Sequence, residues 1–170
     1  MPIYTRRVTT APPPADAPGT PDGISLATML CFDLYSASRA MTSVYRSVLD
    51  PLGLTYPQYL VLVVLWTHGD QTVRQVIDRL DLDYGTVSPL LKRLEARGLV
   101  ERRRRTDDER SVTVTLTDAG RALRAQVGHV PEQIGAAFGL DDDELVQLGR
   151  LLGTVTRSAT QRATQDDAPA

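Results

Sequence analysis

Intrachain disulfides, membrane spans and metal clusters are not expected of this chain. One cysteine among 170 residues permits no intrachain disulfide, and a lone thiol suits a reducing cytosol. The two histidines, His68 and His129, stand far apart, so a tetrahedral metal site has no ligand set without carboxylates. No cofactor is expected. No stretch of about 18 apolar residues occurs, so no membrane span is expected, and the first residues lack the apolar core of a secretion signal. A cytoplasmic location is the default expectation. Aromatic residues make up only 5% of the chain, so aliphatic side chains must do most of the packing; a hydrophobic content of 42% is ample for that.

Positive charge is scarce overall and concentrated locally. The net charge is −2, yet Lys92, Arg93, Arg97, Arg102, Arg103, Arg104, Arg105 and Arg110 put 8 of the 19 basic residues into one short stretch. Such a concentration is expected to meet something anionic. A solvated charged face is the competing reading, because Glu95, Glu101, Asp107, Asp108 and Glu109 share the same window. Charge alone leaves both open, and the secondary structure decides between them.

Proline is crowded at one end. Pro2, Pro12, Pro13, Pro14, Pro18 and Pro21 fall in residues 1–23, a stretch too polar to offset its ordering entropy and expected to be a disordered tail. Helical spacing begins at Ser25 and runs to Leu49, with Leu30, Leu34, Ala37, Met41, Val44 and Val48 on one stripe. Cys31, Tyr35, Ser38, Thr42 and Tyr45 form a second stripe beside it. Asp50-Pro51 and Gly53 end this helix. Thr55 and Gln58 then fit a capping box for a helix that is apolar from Tyr59 to Trp66 and therefore buried. His68-Gly69-Asp70 breaks it, with His68 expected as a surface capping residue.

Thr72 caps a short third helix bearing Val73, Val76, Ile77 and Leu80. After a turn at residues 81–83, a fourth helix runs to Arg97 and is closed by Gly98. Its inner face is Val87, Leu90, Leu91 and Leu94; its outer face holds Tyr84, Thr86, Ser88, Pro89, Lys92, Arg93 and Arg97. Two short helices joined by such a turn make a helix-turn-helix whose second member enters the major groove. Small polar residues followed by basic ones suit contact with base edges and phosphates. Leu99 to Arg104 and Ser111 to Leu116 read as two strands, the second alternating Val112, Val114 and Leu116 inward. The pair is a basic wing, placed to meet phosphates or a minor groove. A helix-turn-helix with such a wing is a specific combination, and it predicts DNA binding.

Thr117-Asp118 caps a further helix that Pro131 must kink or break. A last helix opens on Asp141, Asp142, Asp143 and Glu144, where the macrodipole favours acids; its stripe is Leu145, Leu148, Leu151, Leu152 and Val155. The apolar faces of the first and last helices lack a large enough intrachain partner, so a two-fold dimer is expected. The predicted fold is mainly α with a small β-wing: a winged helix-turn-helix (residues 55–116, wing 99–116) with N- and C-terminal helices (24–52 and 117–158) forming a dimerisation domain. These make one domain over residues 24–158, and residues 159–170 read as a flexible tail.

The order of elements, with Asp108-Glu109-Arg110-Ser111-Val112 leading to Leu116-Thr117-Asp118-Ala119-Gly120, resembles MarR-type winged-helix regulators. Leu30 to Trp66 and Leu82 to Val100 are similar to the organic-hydroperoxide-sensing branch of that family, called OhrR. The resemblance covers roughly residues 25–158. It implies a repressor, not an enzyme, that binds a pseudo-palindromic double-stranded operator as a homodimer and releases it when an organic hydroperoxide oxidises Cys31. It further implies that Tyr35, Tyr45 and Tyr56 support the thiol, the last two supplied by the partner subunit. Asp83, Tyr84, Thr86, Ser88, Pro89, Lys92, Arg93 and the wing residues Arg102, Arg103, Arg104, Arg105 and Arg110 would meet DNA. With no second cysteine, a low-molecular-weight thiol would close a mixed disulfide.

Thiols react as thiolates, and an ordinary cysteine has a pKa of about 8.5. A helix extending from Ser25 would put Cys31 six or seven residues in, too deep for the dipole to dominate, so phenol donors are expected to matter more. On periodicity alone, a lone cysteine is more often a small inert core residue than a sensor. The alternative regulator is a MarR type released by a small aromatic or phenolic ligand, with Cys31 structural; thiol titration separates the two.

Overall fold

The computed structural model describes Leu26, residues 29–104 and residues 111–166. The elements are α1 (Leu30–Leu49), a 3-10 turn (Asp50–Leu52), α2 (Tyr56–His68), β1 (Gln71–Thr72), α3 (Val73–Leu80), α4 (Tyr84–Ala96), β2 (Val100–Arg104), β3 (Val112–Leu116), α5 (Asp118–Gln126), α6 (Val130–Phe138) and α7 (Asp142–Asp166). The chain divides into two units between Met41 and Thr42. The expected tail at residues 1–23 and the wing-tip residues Arg105 and Arg110 lie outside the described residues.

The described part of the first unit is Leu26 and residues 29–41. Here the helix starts later than its periodicity suggested. Met29 donates its N–H to the Leu26 carbonyl, and Phe32 and Asp33 donate to the Met29 carbonyl, so the α-helical ladder opens at Leu30. The stripe's first apolar member is itself Leu30, and nothing in the spacing required helix upstream of it.

The second unit is organised on α2. Thr55 sits in extended conformation at its N-cap, the Gln58 side chain reaches back to the Thr55 N–H at 2.9 Å, and Pro57 occupies the first turn, where no N–H is needed. Val61, Leu62 and Leu65 are essentially inaccessible, and so are Val76 of α3, Val87, Leu91 and Leu94 of α4, Val100 of β2 and Val114 of β3. Each buried aliphatic side chain contributes about 1.5–3 kcal/mol. Thr72 caps α3 with a full capping box to Gln75. Asp81 ends α3 in left-handed conformation at φ 51°, a strain that aspartate tolerates better than most residues.

The sheet has three strands, in the order β1-β3-β2, where the sequence predicted only a hairpin. Val100 pairs with Leu116 and Arg104 with Val112, while Gln71 pairs with Val114 on the other edge of β3. A two-residue strand carries no alternation to read, which is why β1 was invisible. Its Gln71 is buried nonetheless, and its side-chain amide satisfies the His68 and Asp70 carbonyls.

Thr117 caps α5 through the Gly120 N–H and bonds the Gly98 carbonyl at 2.6 Å. Pro131 does break the following helix, with α5 ending at Gln126 and α6 opening at Val130. In α7 a reciprocal pair of bonds between Asp141 and Glu144 closes the N-terminus. This helix continues to Asp166, past the expected flexible tail from residue 159. Residues 159–166 hold no proline or glycine, and alanine, glutamine and arginine there carry little helix penalty. Among the described residues, no single helix is long and apolar enough to cross a membrane.

Candidate functional site

The basic face is built on α4. Asp83, extended at the N-cap, accepts the Thr86 N–H at 2.8 Å and the Thr86 hydroxyl at 2.7 Å. The Thr86 hydroxyl, and then its N–H, hold the Asp83 carboxyl below the usual carboxylate range. These two expected DNA contacts are therefore engaged with each other, which fixes the first turn, and both residues are exposed. Burying Val87, Leu90, Leu91 and Leu94 turns Tyr84, Pro89, Lys92 and Arg93 outward, with Tyr84 67% exposed and Ser88 half-buried at the margin. Pro89 lies inside the helix and has no N–H to give the Gly85 carbonyl. Lys92 and Arg93 form no ion pair among the described residues.

The arginines that follow have divided roles. Arg97, read as part of the outer face, is instead tied down: its guanidinium donates to the carbonyls of Leu52 and Gly53. Arg102 is also withdrawn from the DNA face. Its guanidinium grips Glu95 at 2.6 and 2.9 Å while its N–H meets the other carboxylate oxygen, and this pairing lowers the Glu95 pKa. The strand's alternation explains it, since Arg102 points back towards α4 where Arg103 points out. Arg103 pairs with Glu101 at 2.6 Å but stays three-quarters exposed, and exposed pairs of this kind are worth little. Arg104 is exposed and, among the described residues, has no carboxylate partner. Among the described residues, the α4–β2 surface thus leaves Lys92, Arg93 and Arg104 without a carboxylate partner, and Arg103 in an exposed pair that an anionic partner can displace.

Cys31 is exposed and is the second residue of α1. The expectation that it lies deep in its helix is overturned: it sits in the first turn, where backbone N–H groups lack helical acceptors and a negative charge is favoured. One turn on, Tyr35 is 57% exposed, and Arg39 covers its ring at 5.6 Å while approaching its hydroxyl at 3.4 Å. Arg39 was not among the expected site residues.

In the second unit, Tyr45 and Tyr56 stack with ring centroids 4.0 Å apart, and Tyr45 lies 6.1 Å from Tyr59. Burial above all, and then the neighbouring Tyr56 and Tyr59, push the Tyr45 phenol up to about 12, so at neutral pH it is an O–H donor. Burial likewise raises Tyr59. Tyr59 continues the aromatic row to Trp66, edge-on at 6.2 Å. Sequence reasoning treated Tyr59 as core, and it is buried; its contact with Tyr45 could have been sought in its spacing from Tyr56. Among the described residues, no cluster of His, Cys, Asp and Glu could hold a metal ion.

Comparison with known proteins places this geometry. A family model described as transcriptional regulator SarA/Rot matches residues 43–127, half of the chain. The organic hydroperoxide resistance transcriptional regulator of Bacillus subtilis is 41% identical over 141 residues, covering 83% of this chain and 96% of that protein. Among solved structures, the reduced, DNA-bound form of AbfR, a protein of Staphylococcus epidermidis, is 36% identical and superposes with a TM-score of 0.68 over 79% of this chain and 94% of its own. The overoxidised AbfR on DNA is 38% identical, with a TM-score of 0.66 over 78% and 93%. With a helix-turn-helix, a wing base and a first-turn cysteine in place, the chain belongs to the MarR-type family of winged helix-turn-helix transcriptional regulators, in the branch that contains the organic hydroperoxide resistance regulator.

Proposed function

We propose that this regulator is a cytoplasmic repressor that senses organic hydroperoxides through Cys31 and then lets go of its operator. The observation that carries the reading is the placement of the chain's one cysteine, exposed in the first turn of α1 one turn from Tyr35. The thiolate attacks the outer peroxide oxygen, the O–O bond breaks, and an alcohol leaves after taking a proton. Sulfur, oxidised by two electrons, becomes a sulfenic acid. A low-molecular-weight thiol then condenses with it, releasing water and leaving a mixed disulfide.

The DNA-reading side rests on Tyr84, Thr86, Ser88, Pro89, Lys92 and Arg93 of α4, with Arg103, Arg104 and the wing-tip residues meeting phosphates. Asp83 acts by holding Thr86. The working form is a homodimer on a pseudo-palindromic duplex: Leu30 is 67% exposed on α1, and Leu151, Leu152 and Val155 of α7 are 39–48% exposed, apolar surface that a second copy would cover. In such a dimer, Tyr45 and Tyr56 of one subunit serve Cys31 of the other. Moving from 99% bound to 99% released needs about 5.5 kcal/mol of difference between oxidised and reduced forms. Loss of a thiolate and its phenol bonds, with a bulkier adduct in their place, is the source of that difference.

The test is a gel shift with the DNA upstream of the chain's own coding sequence, with and without cumene hydroperoxide, followed by intact mass. Wild type should release as the mass of Cys31 rises, and Cys31→Ser should bind and stay bound. Release of Cys31→Ser at the same peroxide dose overturns the reading. A Cys31 inert to thiol titration at neutral pH would instead favour a regulator released by an aromatic ligand.

A further inference from the structure

We propose that Arg97 is a positioning residue that couples the end of α1 to the recognition helix, carrying the effect of Cys31 oxidation to the DNA-reading face; the inference rests on the reading above. Arg97 follows the last residue of α4 as its C-cap. Its planar fork donates to two successive carbonyls, Gly53 at 2.5 Å and Leu52 at 2.9 Å, some 45 residues earlier in the chain. A guanidinium suits this task because its donors are fixed in one plane and can span two acceptors at once.

The other end of the strut is equally specified. Leu52 and Gly53 directly follow α1 and its 3-10 turn. Gly53 adopts φ 63° with its N–H on the Asp50 carbonyl, and the Leu54 N–H returns to the Leu49 carbonyl. Leu49 and Leu54 are buried, so this loop is anchored from within while the carbonyls of Leu52 and Gly53 turn towards Arg97. A Cβ at residue 53 would stand 3.2 Å from an Arg97 nitrogen, so glycine serves both the left-handed turn and the close approach.

Glu95, two residues before Arg97, grips Arg102 of β2. The last turn of α4 is thereby fastened on one side to the wing and on the other to the α1–α2 junction. A displacement of α1 reaches α4 through two charge-assisted hydrogen bonds that lie at the surface. Because they are exposed, the strut can be removed without opening a cavity, which separates coupling from folding.

The experiment compares wild type, Arg97→Ala and Arg97→Lys on the upstream duplex, each reduced and after cumene hydroperoxide, with intact mass reporting Cys31 and circular dichroism reporting the fold. Reduced Arg97→Ala should bind nearly as tightly as wild type and oxidise equally, yet its peroxide-induced loss of affinity should shrink by about tenfold or more, within the usual span of coupling between sites. Arg97→Lys, which has no fork, should fall between. Release of Arg97→Ala equal to that of wild type at equal Cys31 oxidation overturns the strut alone. A folded Arg97→Ala that no longer binds when reduced also overturns it, assigning Arg97 to the DNA-bound shape instead of to coupling. A wild type that keeps its DNA with Cys31 fully oxidised overturns the sensing reading and the strut together.

Discussion

Replacing Gly120 by alanine tests the joint at which α5, the wing base and α2 meet. The added Cβ would stand 2.0 Å from the Leu99 carbonyl oxygen, 3.0 Å from its carbon and 3.1 Å from a Leu116 methyl. Unstrained contacts lie near 3.5 Å, so the first turn of α5 must retreat by more than an ångström. That turn carries the Thr117 N–H bond to the Leu99 carbonyl, the Thr117 hydroxyl bond to Gly98, and the Gly120 carbonyl that accepts the Trp66 indole N–H at 2.9 Å. Overpacking costs about 1–3 kcal/mol, and losing two of these bonds adds about 0.5–1.5 kcal/mol each. The gain in helix propensity returns at most about 1 kcal/mol. The net loss is about 1–6 kcal/mol, which for a chain of this size lowers Tm by roughly 2–24 °C. Thermal melting followed by circular dichroism, at one fixed protein concentration because association shifts Tm, measures it. A Gly120→Ala protein melting within about 2 °C of wild type would refute the close-approach argument.

Three further outcomes follow from the side-chain partners. Arg104→Ala should weaken binding across all duplexes and reduce the salt slope by about one, whereas Arg102→Ala should lower the urea midpoint because it strands Glu95; titrations at several salt concentrations beside urea melts tell them apart. The Glu95 carboxyl is depressed by Arg102, so its contribution to stability is present above its ordinary value of 4.5 and lost as pH falls through its lower folded value. The urea midpoints of wild type and Glu95→Gln should therefore converge as pH drops below that range, and a difference unchanged by acid would count against the pair. Tyr45, raised to about 12, favours its neutral form when folded, so its contribution is present below the ordinary value of 10.0 and lost as pH rises towards 12. Ultraviolet titration of wild type against Tyr45→Phe should remove one late-ionising phenol; removal of one that ionises at the ordinary value would show that burial does not act as argued.

Much of this architecture is legible in the residues, for identifiable reasons. Thr55, Thr72 and Thr117 each precede a helix with the spacing a cap needs, so the starts of α2, α3 and α5 fall where expected. The inner face of α4 is likewise fixed by Val87, Leu90, Leu91 and Leu94. What escapes is contact across sequence distance. Arg97 and Arg102 look like any basic residues on an outer face until Leu52, Gly53 and Glu95 are brought beside them. Strand β1 is too short for alternation to register, and the start of α1 is set by local hydrogen bonding at Met29, which periodicity does not report. The last error matters most, because it moves Cys31 from the interior of a helix to its N-terminal turn.

The Glu101 carboxylate that holds Arg103 also bears on how such a regulator would travel over a chromosome. An arginine that arrives with its own carboxylate exchanges one anion for another when it docks on a phosphate, and so displaces fewer counterions than one taken bare from water. On a chain whose net charge is −2, this is expected to loosen the grip on arbitrary sequence and to shorten each accidental stop. Genomic DNA offers an overwhelming excess of wrong addresses, so a short dwell at each keeps the pool of free protein from being soaked up. An acidic partner on the wing would therefore speed the search by making the wrong sites easy to leave.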